Sequence, residues 1–113
     1  MEERIFAIGQ IAITVSDVEK ALGFYRDALG LEFLFSPAPQ LAFLKCGDVR
    51  IMLSTPQGAG QVGANSILYF KTSDIEKTHA ALVKRGVTNE RAPQFAAKMP
   101  DLELWLAFVR DPD

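Results

Sequence analysis

The pentapeptide Ser16-Asp-Val-Glu-Lys20 returns as Ser73-Asp-Ile-Glu-Lys77, 57 positions later in a chain of 113 residues. An apolar, β-branched run precedes each copy, and a glycine (Gly30, Gly86) closes each one. A strand-then-helix pattern that repeats at half the chain length predicts two copies of one supersecondary unit. Gly86 stands one position earlier than strict repetition would place it.

Residues 8–15 alternate. Ile11, Ile13 and Val15 share one face, and Gln10, Ala12 and Thr14 share the other. Ser16-x-x-Glu19 reads as a capping box. The spacing of Val18, Ala21, Leu22, Tyr25 and Leu29 predicts a helix over 17–29, stopped by Gly30. Strands are predicted at 31–35, 41–46 and 49–54. Residues 36–39 form a turn, and Gly47-Asp48 forms a tight hairpin. The stretch 55–64 is rich in Gly and Gln and reads as a loop, whose 57–63 part is a candidate cover for a cleft. The pattern then restarts. A strand is expected over 67–72, a helix over 74–85 opened by Ser73-x-x-Glu76, a short strand over 87–91, a loop over 93–100 and a strand over 102–109. The organisation is one domain over 1–113: module one 1–55, a linker 56–65, and module two 66–113. The fold class is α+β, two βαβββ modules whose helix-free faces form a half-open barrel with a cleft. The second module shows three strands against four in the first, so its last strand is expected after Asp113.

Composition excludes several classes. A net charge of −2 with interspersed signs leaves no nucleic-acid footprint and no polybasic membrane signal. No apolar run reaches the roughly 18 residues of a membrane span. One cysteine, Cys46, excludes an internal disulfide and fits a cytoplasmic setting. It reads as a small buried hydrophobe. The one histidine, His79, falls beside the apolar stripe of the second helix and reads as a packing residue.

The run from Gly9 through Ser16-Asp17 and Phe24-Tyr25 to Leu29-Gly30-Leu31 resembles the vicinal oxygen chelate superfamily, as do Ser73-Asp74, Gly86 and Phe108-Val-Arg-Asp-Pro-Asp113. That superfamily includes glyoxalase I, bleomycin- and fosfomycin-resistance proteins and extradiol dioxygenases. The resemblance implies the paired-module fold and a homodimer. In metal-dependent members, strands one, four, five and eight each supply a ligand, usually His, Glu or Gln. The corresponding residues here are Gln10, Met52 and Ile67, with the eighth-strand position beyond Asp113. Gln is a weak oxygen donor, Met a soft thioether, and Ile no ligand. No cofactor is therefore expected, and a divalent metal is disfavoured.

The expected function is metal-free binding of a small, partly aromatic molecule. Period two assigns Arg50, Met52 and Ser54 to the cleft side of the fourth strand. The candidate site is Gln10, Thr14, Arg50, Met52, Tyr69, Lys71 and Trp105, with cations for an anionic or carbonyl group and aromatic platforms for a flat one. Leu102, Leu104, Leu106 and Phe108 are assigned to the helix side, which sends Trp105 to the cleft with Tyr69. A metal-dependent lyase, isomerase or dioxygenase, and a non-catalytic structural or regulatory dimer, are the alternatives.

Overall fold

The computed structural model describes residues 3–56, 61–63 and 67–113. Part of the expected covering loop, residues 57–60, lies outside the described residues. The chain divides into two compact units, Met1–Asn65 and Ser66–Asp113.

In the first unit, β1 (Gln10–Thr14) leads into helix α1 (Val18–Leu22), which continues as a π-helical stretch (Gly23–Ala28). Three strands follow: β2 (Glu32–Ala38), β3 (Leu41–Cys46) and β4 (Val49–Ser54). The sheet order is β1-β4-β3-β2, with β1 parallel to β4 and the other pairs antiparallel. This is the βαβββ unit read from the repeat.

The helix packs on one sheet face because its apolar positions match the apolar parity of the strands. Val18, Ala21, Leu22 and Tyr25 meet Ala42 and Leu44 of β3, Ile51 and Leu53 of β4, and Val15 just after β1, with Ile11 and Ile13 against the edge of this core. Burying a side chain such as Leu44 or Leu53 contributes about 1.5–3 kcal/mol. The expected helix-side parity of Ile11, Ile13 and Val15 is what the sheet has.

The cap is one residue later than the capping-box reading placed it. Asp17, in extended backbone, accepts from Lys20 N at 3.1 Å. In the second unit Asp74 accepts from Lys77 N at the same distance. A carboxylate at the helix start also meets the positive end of the dipole, which a hydroxyl does not exploit.

The π-helical stretch explains the missing position in the repeat. Leu29 N bonds to Phe24 O, five residues back, at 2.8 Å. A π-turn takes in one residue more than an α-turn. The first helix therefore reaches its glycine one residue later than the second. Gly30 and Gly86 both have positive φ, 83° and 92°, where glycine alone is unstrained. At Gly86 the bonds Gly86 N to Val83 O and Val87 N to Leu82 O close a Schellman motif.

Strand β2 runs on through Ser36 and Pro37, where a turn was expected; the turn is at Pro39-Gln40. Proline is tolerated there because β2 is an edge strand and its register shifts between Phe35 and Ala38.

The second unit contains α2 (Ile75–Lys84) and a hairpin of β5 (Thr88–Lys98) with β6 (Glu103–Arg110). Strand β5 absorbs most of the expected loop 93–100, with Pro93 inside a register shift. The strand expected over 67–72 has no ladder. In the first unit β1 pairs with β4, whereas among the described residues no strand pairs with 67–72. Among the described residues of the second unit only Val87 is buried. Among the described residues no helix is long and apolar enough to cross a membrane.

Candidate functional site

The face of the first sheet away from the helix carries three rows of side chains set by strand register. The first row is Glu32, Lys45, Arg50 and Gln10, running from β2 to β1. The second is Phe35, Phe43, Met52 and Ala12. The third is Ala38, Leu41, Ser54 and Thr14. Of the expected site residues, Gln10, Thr14, Arg50 and Met52 are thus on one face.

The first two rows are tied together. Arg50 Nε donates to Gln10 Oε1 at 2.6 Å. The Gln10 amide nitrogen turns to Met52 Sδ, 3.8 Å away. The guanidinium requires an acceptor, which fixes which end of the Gln10 amide faces it. Arg50 Cζ lies 4.9 Å from the Phe43 ring centre, a cation–π contact. Phe43 is 4.8 Å, centre to centre, from Phe35, with the rings tilted by 30°. Phe35 is 48% exposed. Charge, amide, thioether and two aromatic rings therefore adjoin on an accessible surface.

Phe35, Phe43 and Lys45 were absent from the expected site. Phe43 and Lys45 were legible: a two-residue turn at Gly47-Asp48 sets Cys46 against Val49, and counting back sets Phe43 against Met52 and Lys45 against Arg50. Phe35 was not, because a bulge between Phe33 and Phe35 changes the parity of β2.

The other expected residues belong to the second unit. Tyr69 is 64% exposed and meets Phe108 edge-on, with centres 6.0 Å apart. Trp105 instead pairs with Phe95 at 6.0 Å, and its Nε1 donates to Glu103 Oε1 at 3.2 Å. Trp105 and Phe108 differ by an odd number along β6 and so face opposite sides of the hairpin. The expected pairing of Tyr69 with Trp105 is corrected to Tyr69 with Phe108. His79 Nε2 lies 2.8 Å from Asn89 Oδ1, and Asn89 is paired with Val109. This puts the Val109 and Trp105 side toward α2, the reverse of the expected assignment. The alternation along β6 is the expected one; only the choice of which face meets the helix, made on apolarity, is reversed. Lys71 is exposed. A shallow pocket of about 160 Å³ lies on the Phe108 side, lined by residues that include Arg91, Gln94 and Leu106.

The model of the Glyoxalase/Bleomycin resistance protein/Dioxygenase superfamily matches residues 7–113. The chain belongs to this superfamily. Among relatives, an uncharacterised protein, YraH, of Bacillus subtilis strain 168 is 29% identical, over 92% of this chain and 89% of that one. A solved superfamily member from Sphaerobacter thermophilus DSM 20745 is 28% identical with a TM-score of 0.74, over 96% of this chain and 91% of that one. TnmS3, an antibiotic binding protein from Streptomyces sp. CB03234, is 25% identical with a TM-score of 0.78, over 99% of this chain and 92% of that one.

Gln10 and Met52, the first-unit residues that the resemblance matched to metal-ligand positions, do not fit a divalent ion. The one hard donor, Gln10 Oε1, accepts from a guanidinium whose charge opposes a second cation there. The neighbouring donor is a soft sulfur. Among the described residues, no group of three or more His, Cys, Asp or Glu side chains is placed to hold a metal.

Proposed function

We propose that this superfamily member binds a small, partly aromatic molecule, without a metal, on the open sheet face that carries Gln10, Arg50, Met52, Phe43 and Phe35. One observation carries the reading: Arg50 Nε donates to Gln10 Oε1, so the oxygen that a metal would need at this position already faces a guanidinium. The adjoining Phe35 and Phe43 rings offer a flat ligand an apolar platform. The likeness to an antibiotic binding protein supports a binding role rather than a catalytic one.

The test is a titration of the purified chain against a broad panel of aromatic metabolites and natural products, followed by calorimetry and by the NMR signal of the Met52 methyl. Saturable binding that moves Met52 in metal-free buffer supports the reading. Turnover that requires added Ni, Zn, Mn or Fe overturns it.

The reading includes a homodimer. Ile5 and Phe6 are 97% and 96% exposed, and apolar side chains so open favour a covering partner. A monomeric mass by light scattering at high protein concentration overturns that part.

A further inference from the structure

Resting on the proposed reading of the open face, we infer that the ligand is a flat aromatic molecule bearing a carboxylate, and that Arg50 reads the carboxylate. A guanidinium has five N–H donors in a planar fork. Gln10 takes the one on Nε, and the Phe43 ring lies against the group at Cζ. The recorded contacts of Arg50 leave the two terminal nitrogens, with their four N–H groups, for another partner. That edge matches a carboxylate bidentately, which a lysine in the same place cannot do.

Charge on the row favours an anion. Lys45 is the register partner of Arg50 on the same face, and Glu32 is the register partner of Lys45. Two cations against one carboxylate leave the row positive, although the chain as a whole carries −2. The next row of the same face holds Phe35, Phe43, Met52 and Ala12, with no charge among them. Alternate residues of a strand are about 7 Å apart. An aromatic acid with a short linker spans that distance, ring on the Phe35 side and carboxylate on Arg50. A neutral aromatic would use the platform and leave the guanidinium edge in water.

Gln10 is then a positioning residue. It holds the Nε edge and so fixes the plane of the fork, and being neutral it leaves the positive charge of Arg50 for the ligand. Glutamate in its place would keep the hydrogen bond and the shape but spend that charge.

A matched pair of probes tests this on the full chain: naphthylacetate and its neutral amide, naphthylacetamide, titrated by NMR on the Met52 methyl and by calorimetry. The acid is expected to bind at least about tenfold more tightly than the amide, as one charge-assisted bidentate contact implies. Arg50→Met should remove the preference, so that the acid binds no more tightly than the amide. Gln10→Glu should do the same with no loss of thermal stability, a result that a purely structural role for Gln10 would not produce. Equal binding of acid and amide, both moving Met52, overturns this inference and leaves the proposed function standing. If no probe, including those of the broad panel, moves Met52, the proposed function itself fails and this inference falls with it.

Discussion

Arg50 and Gln10 are register partners on β4 and β1, and the arginine Nε donates to the glutamine Oε1 at 2.6 Å. The contact bridges the edge of the sheet and leaves the amide nitrogen of Gln10 toward Met52. It makes the open face cationic at the point where metal-dependent members of the superfamily gather anionic or neutral donors. The melting temperature is therefore expected to be the same with a chelator as with added Zn, Ni or Mn. A native-state metal held at a hundred times its Kd would add about 2.7 kcal/mol, easily seen in a thermal melt. A rise of that size with any of these ions would overturn the proposed metal-free reading.

Leu44 and Phe43 are sequence neighbours on opposite faces of β3, and they are expected to separate stability from binding. Leu44 is 0% exposed within the core under the helix. Leu44→Ala removes that packing and should cost about 2–5 kcal/mol in urea unfolding. Phe43→Ala cuts a partly exposed ring that contacts Arg50 and Phe35. It should cost less than Leu44→Ala, yet weaken an aromatic ligand by about two- to tenfold, since a ring contact of this kind contributes about 0.5–1.5 kcal/mol. Equal destabilisation by the two variants would mean that the open face is packed rather than available.

The two aspartate caps should behave alike. Asp17 and Asp74 occupy equivalent places in the repeat and each accepts from the backbone N–H three residues on at 3.1 Å. Asp17→Ala and Asp74→Ala are each expected to cost about 1 kcal/mol. Ser73→Ala should cost less than Asp74→Ala, because the carboxylate and not the hydroxyl makes the bond to Lys77 N. Urea titration followed by circular dichroism measures all three. A larger loss from Ser73→Ala would restore the capping-box reading.

Much of this fold was legible because the repeat and the period-two pattern both act locally. β3 and β4 lie where the alternation and the Gly47-Asp48 turn put them, and Ile11, Ile13 and Val15 lie against the helix as their parity required. Two of the misreadings share one physical cause. A single inserted residue changes parity or phase without changing composition. The π-turn before Leu29 shifted Gly30, and the bulge before Phe35 hid that ring from the candidate site. The segment 67–72 failed for another reason. Its β-branched and aromatic residues suit a strand, but strand formation depends on a neighbour as well as on propensity. At the site, Gln10 and Arg50 could be placed on one face by parity, whereas the hydrogen bond between them depends on side-chain rotamers that no pattern encodes.

The signature arginine near the chain's end, Arg110, has a structural task that pH should expose. Its Nε and Nη2 both meet the carboxylate of Glu90 across the hairpin, the Nη2 bond being 3.1 Å. Glu90 sits in the register shift between Asn89 and Arg91, so this fork clamps an irregular point of the ladder. The hydrogen bonds from Arg110 hold the Glu90 carboxyl below its ordinary value, with the charges of Arg110 and Arg91 adding to the effect. Because the folded-state value is depressed, the stabilisation is present above the unfolded value and is lost as pH falls through the folded one. Both groups are solvent-exposed, so the contribution to global stability is small and screened by salt. The sensitive measurement is therefore local: the Glu90 carboxyl carbon should titrate below the ordinary glutamate range by NMR. Arg110→Gln should return it toward the ordinary glutamate range. A Glu90 that titrates normally in the unaltered chain would show that the clamp does not persist in solution.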